Sequence, residues 1–82
     1  MEGRVFDRSN GTPLALATVF VSHSLLQAET DSLGRFRLND LPLGNHRVTA
    51  WKKGVGWQTE NVTVKVGKHH VRDFKIKRRE IS

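Results

Sequence analysis

The sequence predicts an all-β, antiparallel β-sandwich, and three observations predict it. Apolar and polar side chains alternate with period two in several short segments, the pattern of a strand with one dry and one wet face. Clusters of Gly, Pro, Asn and Asp punctuate those segments at intervals of roughly 8 to 12 residues. No segment carries the i, i+3, i+4 spacing of an amphipathic helix. The chain's 82 residues are too few for two independent cores, so residues 1–82 read as one domain, with 78–82 a loose tail.

Taken in order, the first strand is expected at Gly3 to Phe6 with Val5 facing in. Asp7-Arg8-Ser9-Asn10-Gly11-Thr12-Pro13 then reads as a loop, because these residues tolerate or preset turn geometry. Ala17 to Ser22 is β-branched and aromatic, with Ala17, Val19 and Val21 on one face and Phe20 on the other. Phe20 should therefore lie under a loop, a terminal segment or a partner. Leu25 to Thr30 reads as a short strand or an irregular crossing.

The stretch from Thr30 to Ala50 is the clearest. Phe36 and Leu38 share one parity against Arg35 and Arg37, and Val48 and Ala50 repeat this against Arg47 and Thr49. Leu41-Pro42-Leu43-Gly44 joins the two strands. Pro42 lacks a ladder donor and Gly44 permits positive φ, so the connector lies outside a ladder and reverses the chain. Lys52 to Trp57 follows as a glycine-flanked turn. Asn61 to Val66 alternates with Val62, Val64 and Val66 inward, and Gly67-Lys68 turns into a last strand, His69 to Lys77, with Phe74 and Ile76 inward. Val71 has the wrong parity for that face, which predicts a bulge near Arg72-Asp73 or exposure of Val71.

Composition bounds the function. A content of 37% hydrophobic and 27% charged residues is globular and too apolar for a disordered tail. Nothing approaches the roughly 18 consecutive apolar residues of a membrane span, and no signal peptide is visible after Met1. Export is then expected to need a longer precursor, processing, or a signal-independent machine. With no cysteine, disulfides, thiolate nucleophiles and zinc knuckles are excluded. The net charge of +6 favours encounter with polyanions, or simply keeps a small β protein soluble and its edges unpaired.

An ordered set of motifs narrows the class further. Gly3-x-Val5-x-Asp7, Asn10-Gly11-Thr12-Pro13-Leu14 leading to Ala17-Thr18-Val19, Thr30-Asp31-x-x-Gly34-x-Phe36-x-Leu38, Leu41-Pro42-x-Gly44 and Val48-x-Ala50 together resemble the carboxypeptidase regulatory-like domains, which are transthyretin-like (prealbumin-like) sandwiches. The resemblance implies a seven-stranded Greek-key β-sandwich without catalytic machinery. It also implies an accessory module, commonly on extracellular, periplasmic or cell-surface proteins and in secretion-system assemblies. Asp31 is then expected to accept backbone N–H bonds in its turn, and Gly34 to relieve the turn so that Phe36 enters the core. His46 stands where the family usually has an aromatic and is expected to be a partly buried, hydrogen-bonded histidine.

His23, His46, His69 and His70 are the available imidazoles, but adjacent strand residues project to opposite faces, so no metal site or other cofactor is expected. Asp7, Asp31 and Asp40 fall in turns, where capping amides is their expected role. Hydroxyisourate hydrolase shares the architecture but uses a tyrosine-containing terminus, and this chain has no tyrosine. The tyrosine-ligated iron of intradiol dioxygenases is excluded likewise, and Arg4 stands where an isopeptide lysine is needed. No enzyme activity is expected. Asn10-Gly11-Thr12 and Asn61-Val62-Thr63 match the glycosylation sequon.

The expected function is a protein-contact or spacer module. Trp51 has the outward parity, and Trp57 at its glycine turn either plugs the end of the sandwich or is presented. With Lys52, Lys53, Arg47 and Phe20 they form the candidate partner-binding set, suited to a protein hot spot or to stacking on a sugar ring. A weaker alternative is nucleic acid or an anionic surface at Lys75-Ile76-Lys77-Arg78-Arg79, supported by charge without a stacking arrangement.

Overall fold

A computed structural model describes residues 1–77. They form seven strands and no helix: β1 (Glu2–Asp7), β2 (Thr18–Val21), β3 (Gln27–Glu29), β4 (Arg35–Arg37), β5 (Gly44–Lys52), β6 (Gly56–Val64) and β7 (Phe74–Ile76). Two sheets face each other, one of three strands in the order β4-β1-β7 and one of four in the order β3-β2-β5-β6. Every pairing is antiparallel except β1 with β7, which is parallel. Parallel neighbours need a long connection, and here the whole course from β2 to β6 supplies it.

The core lies between the sheets and follows the alternation. Val5, Val19, Val21, Phe36, Leu38, Val48, Ala50, Val62, Phe74 and Ile76 are all buried, and both sheets contribute to this one apolar layer. The Phe36 and Phe74 rings reach each other at 5.8 Å between centroids, tilted by 57°, in the edge-to-face range that aromatic pairs favour.

Two turn devices seat β1. Gly34 has a φ of 75°, its carbonyl accepts the Val5 N–H at 2.8 Å, and a Cβ there would stand 2.7 Å from the Val5 carbonyl oxygen. Glycine is required twice over, by conformation and by close approach. Upstream, Asp31 Oδ1 accepts from the Leu33 and Arg35 amides at 2.9 Å each, as expected. Buried Thr30 ties the incoming chain: its Oγ1 accepts the Ala17 N–H at 2.9 Å and donates to the Leu14 carbonyl at 2.5 Å.

Three expectations need correction. Val66 does not face inward; β6 ends at Val64, so Val66 falls in the turn at Gly67 and is 79% exposed. The turn expected from Lys52 to Trp57 is tighter, with three residues between the paired ends Lys52 and Gly56, so Trp57 is already in β6. The last strand is shorter than His69 to Lys77. Residues 70–72 do run beside Glu2, whose N–H bonds the His70 carbonyl and whose carbonyl accepts the Arg72 N–H. The ladder then breaks because the Arg4 N–H turns to Asp73 Oδ1 at 3.1 Å. Val71 is exposed, one of the two outcomes its parity allowed.

Gly34→Ala is expected to destabilise the protein by about 2–4 kcal/mol, from left-handed strain plus the clash with Val5. Thr30→Val, which leaves the Ala17 amide buried and unpartnered, should cost about 1–3 kcal/mol. Urea denaturation of both variants measures this.

Candidate functional site

The outer face of the four-stranded sheet is where the sequence-predicted residues gather. Its strands place Thr18, Trp51 and Trp57 in one row across β2, β5 and β6, and Phe20, Thr49 and Thr59 in the next. Trp51 is 44% exposed, Trp57 47% and Phe20 37%. Trp51 and Trp57 are directly opposite on paired strands, the arrangement in which cross-strand side chains lie closest. A depression of about 370 Å³ opens beside them at the hairpin tip, lined also by Lys52, Lys53, Gly54, Val55 and Gly56.

The local sequence explains this presentation. Val55, not Trp57, plugs the end of the sandwich, being only 8% exposed. Once β6 begins at Gly56, parity puts Trp57, Thr59 and Asn61 outside and Val62 inside. Polar bonds stiffen the same face: the Thr49 and Thr59 hydroxyls are 2.9 Å apart, and Thr63 Oγ1 donates to Asn45 Oδ1 at 2.7 Å. No described segment covers Phe20, whose cross-strand neighbours are Gln27 and Thr49.

The cations divide. Arg47 is exposed and lies opposite Asn61, and Lys53 is exposed at the hairpin tip. Lys52 also lines the depression, but its parity is inward and its Nζ donates to the Ala15 carbonyl at 2.7 Å, which anchors the hairpin to the β1–β2 connection. Lys75 and Lys77 are exposed at the three-stranded sheet, away from the tryptophans; Arg78 and Arg79 lie outside the described residues.

The histidines are dispersed into separate contacts. His46 is half-buried, with Nε2 2.7 Å from the Pro42 carbonyl, as expected. His69 Nε2 meets Glu2 Oε1 at 2.9 Å, whereas His70 Nε2 accepts the Lys65 N–H at 3.1 Å. Among the described residues no three His, Asp or Glu side chains form a group that could hold a metal ion. Asp7, buried, caps its own turn by accepting from the Ser9 amide and hydroxyl. Asn10 of the first sequon holds the Thr12 N–H at 2.9 Å, and Asn61 of the second is exposed on β6.

Two carboxylates are held below their ordinary range. The Arg35 amide, with that of Leu33 and the Arg35 guanidinium at 3.4 Å, favours the ionised form of Asp31. The hydrogen bond from His69 does the same for Glu2.

A β-sandwich of the transthyretin-like kind is what the two facing sheets define. The family comparison gives that class its membership: the model of the carboxypeptidase regulatory-like domain matches residues 1–77, and the chain belongs to this family, which is non-catalytic. No curated protein matches the chain. Among the described residues no helix is long and apolar enough to cross a membrane.

A depressed carboxylate stabilises the fold above its unfolded pKa, and that contribution is lost as pH falls through its folded value. Stability should therefore decline from about pH 5 to pH 3. Asp31→Asn, which keeps an amide acceptor but cannot titrate, should lower stability at pH 7 and flatten that decline. Denaturation midpoints across this range check it, and an unchanged slope contradicts it.

Proposed function

We propose that this chain is a non-enzymatic contact module, which binds a protein partner through the outer face of the four-stranded sheet, either within a longer polypeptide or as a small subunit of an assembly. The observation that carries the reading is the gathering of Phe20, Trp51 and Trp57, all more than a third exposed, on one face of one sheet. Large rings that stay partly in water on a stiff support are typical anchors of protein interfaces, and an arginine such as Arg47 commonly accompanies them. The membership in a non-catalytic family supports the same reading.

A second reading is favoured by one specific feature: two tryptophans directly opposite each other, with the Thr18 and Thr59 hydroxyls on the same face. Rings so placed can stack on a sugar while hydroxyls bond its edge. A partner protein is preferred because Phe20 extends the apolar strip beyond the reach of one sugar ring.

The test is a photoreactive amino acid placed at Phe20 or, as a control on the opposite sheet, at Lys75. The contact reading expects a discrete protein adduct from position 20 in the native host and none from position 75. Adducts from both, or from neither, contradict it. A shift of tryptophan fluorescence in a glycan panel, abolished by Trp51→Ala, would establish the sugar reading in its place.

A further inference from the structure

Three of the four sheet edges are short and one is long. β3, β4 and β7 have three residues each, and β4 carries an arginine at both ends. Short or charged edges resist pairing with another chain. β6 runs nine residues and no described strand is hydrogen-bonded to its outer edge, although β7 and the segment before it pack near that edge.

Register fixes which backbone groups of β6 point outward. Lys52 and Gly56 pair at the mouth of the hairpin, where the Val55 N–H donates to the Lys52 carbonyl at 3.1 Å. Antiparallel pairs alternate from there, so even-numbered residues of β6 bond β5 while odd-numbered ones turn N–H and C=O away from it. The Asn61 carbonyl agrees with this phase, because it accepts from Arg72 Nη2 at 3.3 Å on the side away from β5. Thr59, Asn61 and Thr63 thus offer a row of outward N–H groups, with the Thr59 carbonyl between the first two and the Thr63 carbonyl beyond the last.

Two exposed cations flank the middle of that row. Arg47 faces Asn61 across the β5 pairing and Arg72 reaches it from the side away from β5, both exposed; the one acid of β6, Glu60, is half-buried and has the opposite parity. We propose that β6 is a docking edge for an extended, acidic segment of a partner protein, which adds to the four-stranded sheet as a fifth strand. Main-chain bonds to Thr59 through Thr63 supply register-specific affinity. The Arg72 bond to Asn61 is long and weak, so a carboxylate on the incoming strand offers the guanidinium a stronger acceptor and frees the carbonyl for the new ladder. A second copy of this chain is the poorer occupant, since pairing β6 with itself would bring two net charges of +6 and two sets of Arg47 and Arg72 together.

The inference deepens the contact-module reading and rests on it, but on different atoms: backbone groups of an edge, not rings of a face. The 82-residue chain, labelled with nitrogen-15, is titrated with a capped eight-residue peptide alternating Thr or Val with Glu, and with the same peptide carrying Lys for Glu. Expected are amide shifts centred on Thr59, Asn61 and Thr63, and binding of the Lys peptide weaker by at least about tenfold. Thr59→Pro removes an outward N–H without breaking a β5 bond and should weaken the Glu peptide by about tenfold or more, whereas Thr59→Val should not. Arg72→Gln should erase the preference for Glu over Lys. Shifts confined to the Trp51 face, equal affinity for the two peptides, or concentration-dependent self-association through the same amides would overturn strand addition. An adduct from position 20 together with a silent edge would overturn this inference alone.

Discussion

The sandwich depends on how β1 is held. Val5 is fully buried, its N–H bonds the Gly34 carbonyl, and its own carbonyl accepts the Leu14 N–H. β1 is the middle strand of the smaller sheet, so β4 and β7 reach each other's rings only by way of it. Its partners stand far apart in the chain: Phe36 pairs with Gly3, and Phe74 with Val5. Closing such distant pairs costs loop entropy before any burial offsets it. Apolar contact between the sheets has to carry that cost, and Gly34 has to lack a side chain for the contact to form.

The four-stranded sheet is released from that constraint on its outer side. β5 and β6 are each nine residues long, whereas β4 and β7 have three, so the larger sheet extends past the smaller one. At the overhang the hairpin is fastened by the Lys52 bond to Ala15 and the buried Val55. The tryptophans are then unnecessary to the core. Rings that the core does not need, on strands the core holds rigid, cost little entropy to present. Stability thus concentrates around β1, and the exposed tryptophans stand on β5 and β6.

Much of this was legible in the residues. Period-two alternation identified the inward faces of β1, β2, β4 and β5, and Asp31 with Gly34 identified the turn, because each rests on local backbone geometry. The errors share one cause. Lys53, Gly54 and Gly56 suggested a wide turn, and the hairpin's true tightness depends on the Lys52–Gly56 pairing, a contact of register and not of composition. That shift moved Trp57 onto the sheet and made Val55 the plug. The length of β7 failed similarly, since Asp73 diverts the Arg4 amide through a contact across most of the chain, and Val66 failed because β6 stops at Val64. The Lys52 bond to the Ala15 carbonyl had no local signal either, since it joins the hairpin to a connection 37 residues earlier. The β6 edge carries no local signal, because an edge is defined by the strand that is missing beside it.

If β1 is the keystone, its backbone opens only when the whole molecule does. Native-state hydrogen exchange of the Val5 and Leu14 amides measures this most directly. Both should exchange with an opening free energy within about 1 kcal/mol of global unfolding, alongside Val19 and Val48 in the larger sheet. Exchange of Val5 and Leu14 at loop-like rates, with Val19 and Val48 still protected, would mean that the larger sheet stands without β1 and would contradict the account.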